Sequence, residues 1–202
     1  MIMNKFERKS RDAYNKKAFE YDKTPEGKFT RHFNDLIYKT ILINQNDSIL
    51  DVACGNGRLL DMFARKKDIN LYGVDIAEEM IVNAKKLYPT IEFAVGSCEK
   101  IPFDDNKFEV IINCASFHHF PNPSEFAKEV NRLLKNNGTL YIADVYYPNW
   151  LRIILNPFVP LSKSGDVKFY SPQNIINIFK NYNIRHIETI IDNNIQLLKF
   201  VK

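Results

Sequence analysis

A chain of 202 residues with 45% hydrophobic content can bury one full core and fits one domain better than two. Its net charge of +4 is spread among interspersed acids and bases, which argues against a dedicated nucleic-acid binder and leaves Lys16–Lys17, Lys66–Lys67 and Lys85–Lys86 as solvated helix faces. Cys54, Cys98 and Cys114 have neither even number nor CxxC spacing, and there is no apolar leader or membrane-length run, so a soluble protein of the reducing cytoplasm is expected, without disulfides.

Residues 5–22 and 28–43 read as helices, broken by "DKTPEGK", where Pro25 and Gly27 supply turn chemistry. From Ser48 the pattern changes to short apolar runs alternating with amphipathic helices. The predicted strands are 48–53, 69–74, 91–95, 108–114 and 138–145. Between them, Leu59, Leu60, Phe63 and Ala64 form one buried stripe; Met80, Ile81, Ala84, Leu87 and Tyr88 form a second; Phe126, Val130, Leu133 and Leu134 form a third. Asn122–Pro123 fits an N-cap and first turn, and "KNNGT" offers Gly138 as a left-handed helix end.

The link 96–107 is too short and polar for a crossover helix. Ser171–Pro172 caps a last helix with Ile175, Ile176 and Phe179 inward, and "IRHIETII" and "IQLLKFV" around "DNN" read as an antiparallel hairpin. Alternating strands and helices, with strands apolar on both faces, predict an α/β fold: a doubly wound, Rossmann-like sheet of seven strands, mostly parallel with an antiparallel terminal strand and helices on both faces.

In such a sheet ligands bind at the carboxyl ends of the strands. The first strand ends at "DVACGNG", where Gly55 and Gly57 make a tight turn. A nicotinamide fingerprint needs a third glycine at position 60, which is Leu60. Asp75, at the end of the second strand, is placed to accept both hydroxyls of a ribose, which serves either a nicotinamide cofactor or S-adenosylmethionine.

Four blocks, "ILDVACGNGRLL", "LYGVDIAEEMIVNAKK", "GSCEKIPFDDNKFEVIINCASFHHF" and "LLKNNGTLYIAD", together resemble the class I S-adenosylmethionine-dependent methyltransferases of the small-molecule, type 11 kind, over residues 48–145. The resemblance implies S-adenosylmethionine as cofactor, with S-adenosylhomocysteine as product. It implies that Asp51 orients the loop or meets the methionine amine through water, and that Ala53, Gly55, Asn56 and Gly57 surround the methionine portion. Asp75 would hold the ribose, and Ile76 and Met80 would pack on adenine. Ser97 and Cys98 occupy the adenine-edge positions, where the family often has an acid in place of Ser97. Asn113 and Ala115 would offer carbonyls to the ammonium, and Tyr21 and Arg31 would meet the cofactor carboxylate from an N-terminal cover.

His118 and His119, just past the fourth strand, are the local candidates for proton transfer or for shaping the site. Adjacent histidines are expected to point apart with no ligand cluster beside them, so no metal is expected. The cysteines read as small buried fillers. "NCASF" lacks the Asn/Asp-Pro-Pro-aromatic signature of base and amide methylation, and the aromatic-rich, proline-containing segment after 145 suits a wall for a small, partly apolar acceptor.

The expected division is one domain over 1–202, with a helical cover (1–45), a cofactor-binding core (46–145), a lid or substrate segment (146–171) and a terminal helix and hairpin (172–202). The expected activity is methyl transfer to a small molecule at O, N or C, with no nucleic-acid or membrane partner. The alternatives are an NAD(P)-dependent oxidoreductase and a non-catalytic S-adenosylmethionine-binding accessory protein.

Overall fold

The computed structural model describes residues 3–65 and 68–202. Its elements are α1 (Lys5–Asn15), α2 (Pro25–Thr40), β1 (Ser48–Val52), α3 (Arg58–Ala64), β2 (Asn70–Asp75), α4 (Glu78–Leu87), β3 (Glu92–Val95), β4 (Phe108–Cys114), α5 (Pro123–Leu133), β5 (Leu134–Val145), α6 (Asn149–Leu155), α7 (Pro172–Lys180), β6 (Arg185–Asp192) and β7 (Ile195–Val201). The seven strands form one sheet in the order β3-β2-β1-β4-β5-β7-β6. All neighbours run parallel except β7, which is antiparallel to both β5 and β6.

Strand alternation sorts the core into two layers. Ile49, Val110, Ile112, Tyr141 and Leu197 face α2, α3 and α4 through Phe33, Ile37, Leu59, Phe63 and Ile81. Leu50, Val52, Ile111, Ile142, Leu198 and Phe200 face α5 and α7 through Phe126, Val130, Leu133, Ile175 and Phe179. The second layer is unusually aromatic, with the Phe117, Phe126 and Phe179 rings in mutual contact. Each fully buried Phe contributes about 2–3 kcal/mol through the water it sheds.

Several local expectations change. The first helix stops at Asn15, a 3-10 turn follows over Ala18–Lys23, and Pro25 opens α2 as its first residue instead of breaking a loop. Pro needs no N–H at that position, and the Thr24 hydroxyl accepts from Gly27 N at 3.0 Å to cap the helix. The fifth strand begins at Leu134, without the predicted helix end at Gly138. Lys107 N donates to Leu133 O at 2.9 Å, so pairing with the β4 region starts directly at the end of α5. Asn137, at φ 65°, takes the left-handed turn, and the ladder resumes at Thr139 opposite Val110.

Asn122 does precede α5, but its side chain donates to Glu99 at 2.9 Å instead of capping the helix. Ala64 and Leu87 are exposed rather than buried, because each lies at the last turn of its helix. The link 96–107 holds no helix, as expected, and Ser171 caps α7 in a reciprocal box with Asn174. Lys66–Lys67 lie outside the described residues, whereas Lys85 and Lys86 are exposed.

Candidate functional site

The carboxyl ends of β1, β2 and β4 surround a cavity that is partly open to solvent and roofed by α1 and the start of α2. The backbone at its floor is unusual: Ala53 (φ 62°) and Ala115 (φ 52°) are left-handed although neither is glycine, and both line the cavity. Such strained positions cluster where a binding loop must turn sharply off a strand. Gly57 (φ 79°) closes the loop onto α3, and a Cβ there would lie 2.6 Å from the Phe93 ring. Only glycine satisfies both conditions.

Asp75 organises the loop. Its Oδ2 accepts from Gly55 N and its Oδ1 from Ala77 N, both at 2.8 Å, so one carboxylate ties the β1 loop to the approach of α4. Burial raises its pKa, while the Ala77, Gly55 and Ile76 N–H groups oppose the shift. Each oxygen keeps a further lone pair for a ligand hydroxyl. Asp51, nearly fully buried, leaves Oδ1 with no hydrogen-bond partner on the cavity wall. Burial first, and then the Asp75 charge, push its carboxyl well above the usual range. A buried acceptor without a donor is costly, and a cationic group in the cavity would supply one.

Ala53, Gly55, Asn56, Asp51, Asp75, Ile76, Met80, Ser97, Cys98, Ala115, Tyr21 and His119 all line this one cavity. Four candidates stand elsewhere. Gly57 sits behind the loop as the residue before α3. The Asn113 side chain turns inward, donating to Val52 O at 3.0 Å and to Ser116 Oγ at 2.6 Å. Arg31 points away from the wall and donates to Asp22 O at 3.0 Å. Arg58, which the sequence reading did not single out, is the arginine on the cavity. His118 is also off the wall.

Tyr21 donates to or accepts from Thr30 Oγ1 at 3.0 Å, and burial pushes its hydroxyl up to about 12. The thiols are free; Cys54 and Cys114 are buried and Cys98 half-buried. Burial raises all three pKa values well above the ordinary thiol value, which suits fillers and not nucleophiles.

Sequence reasoning missed what α1 brings. Glu7 lines the cavity and accepts a short hydrogen bond from Ser97 Oγ, and its other oxygen accepts from Asn4 N at 2.9 Å in a capping box. Tyr14 reaches His119 Nε2 at 3.2 Å. Asn15 binds α4 twice, accepting from Glu79 N at 3.0 Å and donating to Glu78 at 2.9 Å. The only signal in the sequence was the Asn4…Glu7 capping spacing, which marks a helix start but not its destination.

The histidine pair also departs from expectation. The rings do not point apart: their centroids are 4.2 Å apart, and Asp166 stands beside both. His118 Nδ1 meets Asp144 Oδ1 at 2.6 Å. Burial alone would lower the His118 pKa, but Asp144 and Asp166 outweigh it and hold it above the usual value. His119 is lowered to about 3, by burial and by the neighbouring His118.

A family model described as a methyltransferase domain matches residues 50–142. The demethylmenaquinone methyltransferase of Chlorobaculum tepidum is 39% identical over 100 residues, covering 50% of this chain and 41% of that protein. The ubiquinone biosynthesis O-methyltransferase of Pelagibacter ubique is 28% identical over 217 residues, covering 90% of this chain and 86% of that protein. The first of these relatives is therefore matched over less than half its own length.

Among solved structures, the YcgJ protein of Bacillus subtilis aligns with a TM-score of 0.74 at 19% identity, covering 85% of this chain and 98% of that one. A SAM-dependent methyltransferase from Aquifex aeolicus gives 0.65 at 19% identity, covering 96% of both chains. These two show the fold. With the strand order, the loop and the domain match in agreement, residues 50–142 form a methyltransferase domain, on the fold that this chain shares with solved S-adenosylmethionine-dependent methyltransferases.

Proposed function

We propose that this protein transfers a methyl group from S-adenosylmethionine to a small-molecule acceptor, and the observation that carries the proposal is Asp51. Its unpartnered oxygen stands on the wall of the cavity whose rim Asp75 closes. That pairing suits a ligand with a cation at one end and a ribose diol at the other. When bound, S-adenosylmethionine supplies an electrophilic methyl group on a sulfonium that departs as a neutral thioether.

The chain's own residues bind and orient. Asp51 holds the ammonium, with the left-handed Ala53 and Ala115 exposing the loop backbone around it. Arg58 replaces Arg31 as the cation for the carboxylate, alongside Tyr21. Asp75 takes the ribose, and Ile76 and Met80 pack on the adenine. Cys98 lies along the adenine edge, and Ser97 reaches its amine together with Glu7, whose carboxylate stands in for the acid that position 97 lacks. Asn113 fixes the end of β4 from behind, and Gly57 and Asn56 shape the turn.

Alignment and exclusion of water supply most of the catalysis for such a transfer. Tyr14 and Asp166 flank the two ring nitrogens of His119, so His119 shapes the acceptor side, and His118 supports it through Asp144. The acceptor is a small molecule methylated at O, N or C, and the ubiquinone biosynthesis O-methyltransferase of Pelagibacter ubique favours oxygen. The division into cover (1–45), cofactor core (46–145), acceptor lid (146–171) and sheet-closing tail (172–202) belongs to the same proposal, as does a cytoplasmic location. No helix among the described residues is long and apolar enough to cross a membrane.

Leu60 is fully buried against the core at the position where a nicotinamide fingerprint needs glycine, which disfavours that cofactor. Calorimetry with S-adenosylmethionine, S-adenosylhomocysteine and reduced nicotinamides tests the reading. Binding of the two sulfur ligands alone is expected, weakened by about 10–100-fold in Asp75→Ala through loss of charge-assisted hydrogen bonds. A folded Asp75→Ala variant with unchanged affinity removes the ribose assignment. Turnover with hydroxylated aromatic acceptors then separates an enzyme from an accessory binder.

A further inference from the structure

We propose that His118, His119 and Asp166 form a binding site for one divalent transition-metal ion, placed behind the cavity wall where it clamps the 146–171 segment to the turn after β4. Among the described residues, these three bring one ligand atom each to within 4.8 Å of one another. Asp166 Oδ1 lies 3.0 Å from His119 Nδ1 and 3.8 Å from His118 Nε2. Ligands about 2.0–2.2 Å from a shared ion are separated from each other by distances of this size.

The decisive feature is the second layer of contacts. Each ligand is gripped at the atom that faces away from the shared point. His118 Nδ1 is held by Asp144 Oδ1 at 2.6 Å, which directs Nε2 inward. His119 Nε2 is held by the Tyr14 hydroxyl at 3.2 Å, which directs Nδ1 inward. Asp166 Oδ2 accepts from Ser164 Oγ at 3.0 Å, leaving Oδ1 inward. Histidines ligating a metal ordinarily have this carboxylate or hydroxyl partner on the other nitrogen.

An independent observation points the same way. His119 is buried, and its Nδ1 makes no well-aligned hydrogen bond, its near neighbours being Asp166 Oδ1 at 3.0 Å and the Gly165 backbone. A well-made imidazole–carboxylate pair would not leave that nitrogen unsatisfied. The backbone supports the arrangement too, because Val167 N donates to His118 O at 2.8 Å and pins the Asp166 turn against the histidines. Two imidazoles and one carboxylate suit zinc, cobalt, manganese or iron(II), with the remaining positions open to water.

The test uses full-length protein stripped with a chelator and then titrated with Zn²⁺ by calorimetry and with Co²⁺ by visible absorption. The expected result is one ion per chain at about micromolar affinity or tighter, with the intense Co²⁺ band of a four- or five-coordinate site and a higher thermal midpoint. Asp166→Asn, which keeps the Ser164 contact, and His118→Gln are each expected to weaken binding at least about tenfold. Circular dichroism verifies that both variants are folded.

Wild-type protein that is folded but takes up no ion at millimolar concentration overturns the inference. So does uptake that neither variant changes, or a weak six-coordinate Co²⁺ spectrum. S-adenosylhomocysteine is titrated into the same samples. Binding of that ligand without metal uptake removes this inference alone, and metal uptake without it removes the cofactor reading alone.

Discussion

Asp51 is kept at a cost to the fold. Its carboxyl is buried with one orphan oxygen and titrates well above the usual range. The native state therefore still holds this proton at pH values where the unfolded chain, titrating near about 3.9, has lost it. More protons on the native side means that this residue's contribution to stability falls as pH rises from the ordinary Asp range through the raised native value. Urea midpoints measured across that range are expected to favour Asp51→Asn over wild type increasingly with rising pH, while the variant binds S-adenosylmethionine more weakly. Parallel pH curves for the two proteins would count against the raised native titration of Asp51. Glu7 carries the complementary prediction. Glu7→Gln can keep both the capping box and the Ser97 contact but loses the charge, so the dissociation constant for S-adenosylhomocysteine is expected to rise about 3–10-fold, measured by calorimetry, with α1 intact.

Elements were legible where their signals were local. Strand ends, the Ser171 cap and the helix-free link after β3 all follow from residues within a few positions of one another. The boundary between α5 and β5 was not, because pairing by Asn106 and Lys107 overrides the glycine at 138. Pro25 and Gly27 were read as a loop for a similar reason: the same residues serve a helix start, and only the packing of the preceding turn decides. Gly27 sits in the first turn of α2 with the Tyr21 carbonyl so close that an added Cβ would lie 2.0 Å from it. Gly→Ala within a helix ordinarily stabilises by about 1 kcal/mol. Here the sign is expected to reverse, with Gly27→Ala lowering the denaturation midpoint by the equivalent of about 2 kcal/mol or more as the 18–23 turn is displaced. A stabilised variant would mean that this turn is not seated as described.

At the scale of the molecule, half of the site was readable and half was not, for a single reason. Asp51, the 53–57 loop and Asp75 belong to contiguous motifs, so spacing alone located them. Glu7, Tyr14, Asp144 and Asp166 reach their partners from distant parts of the chain, as Glu7 does across 90 positions and Tyr14 across 105, and no local pattern records such meetings. The sheet has the same non-local character. β7 is the antiparallel strand lodged between β5 and β6, and buried Gln196 donates from it to Val145 O at 3.0 Å and Tyr170 O at 2.8 Å. Removing residues 195–202 is expected to abolish cooperative thermal unfolding and to expose dye-binding apolar surface; a sharp transition in the shortened chain would show that β7 can be dispensed with.

The strand order also has a consequence in time. A ribosome delivers β6 before β7, yet β6 has no other partner in the sheet. During synthesis, at about 5–20 residues per second, the nascent chain carries a finished parallel half beside a strand that has nowhere to dock. The vulnerable moment in the life of this protein therefore falls between the emergence of β6 and that of β7, when the exposed margin of β5 is open to a neighbouring chain and a chaperone has the most to protect.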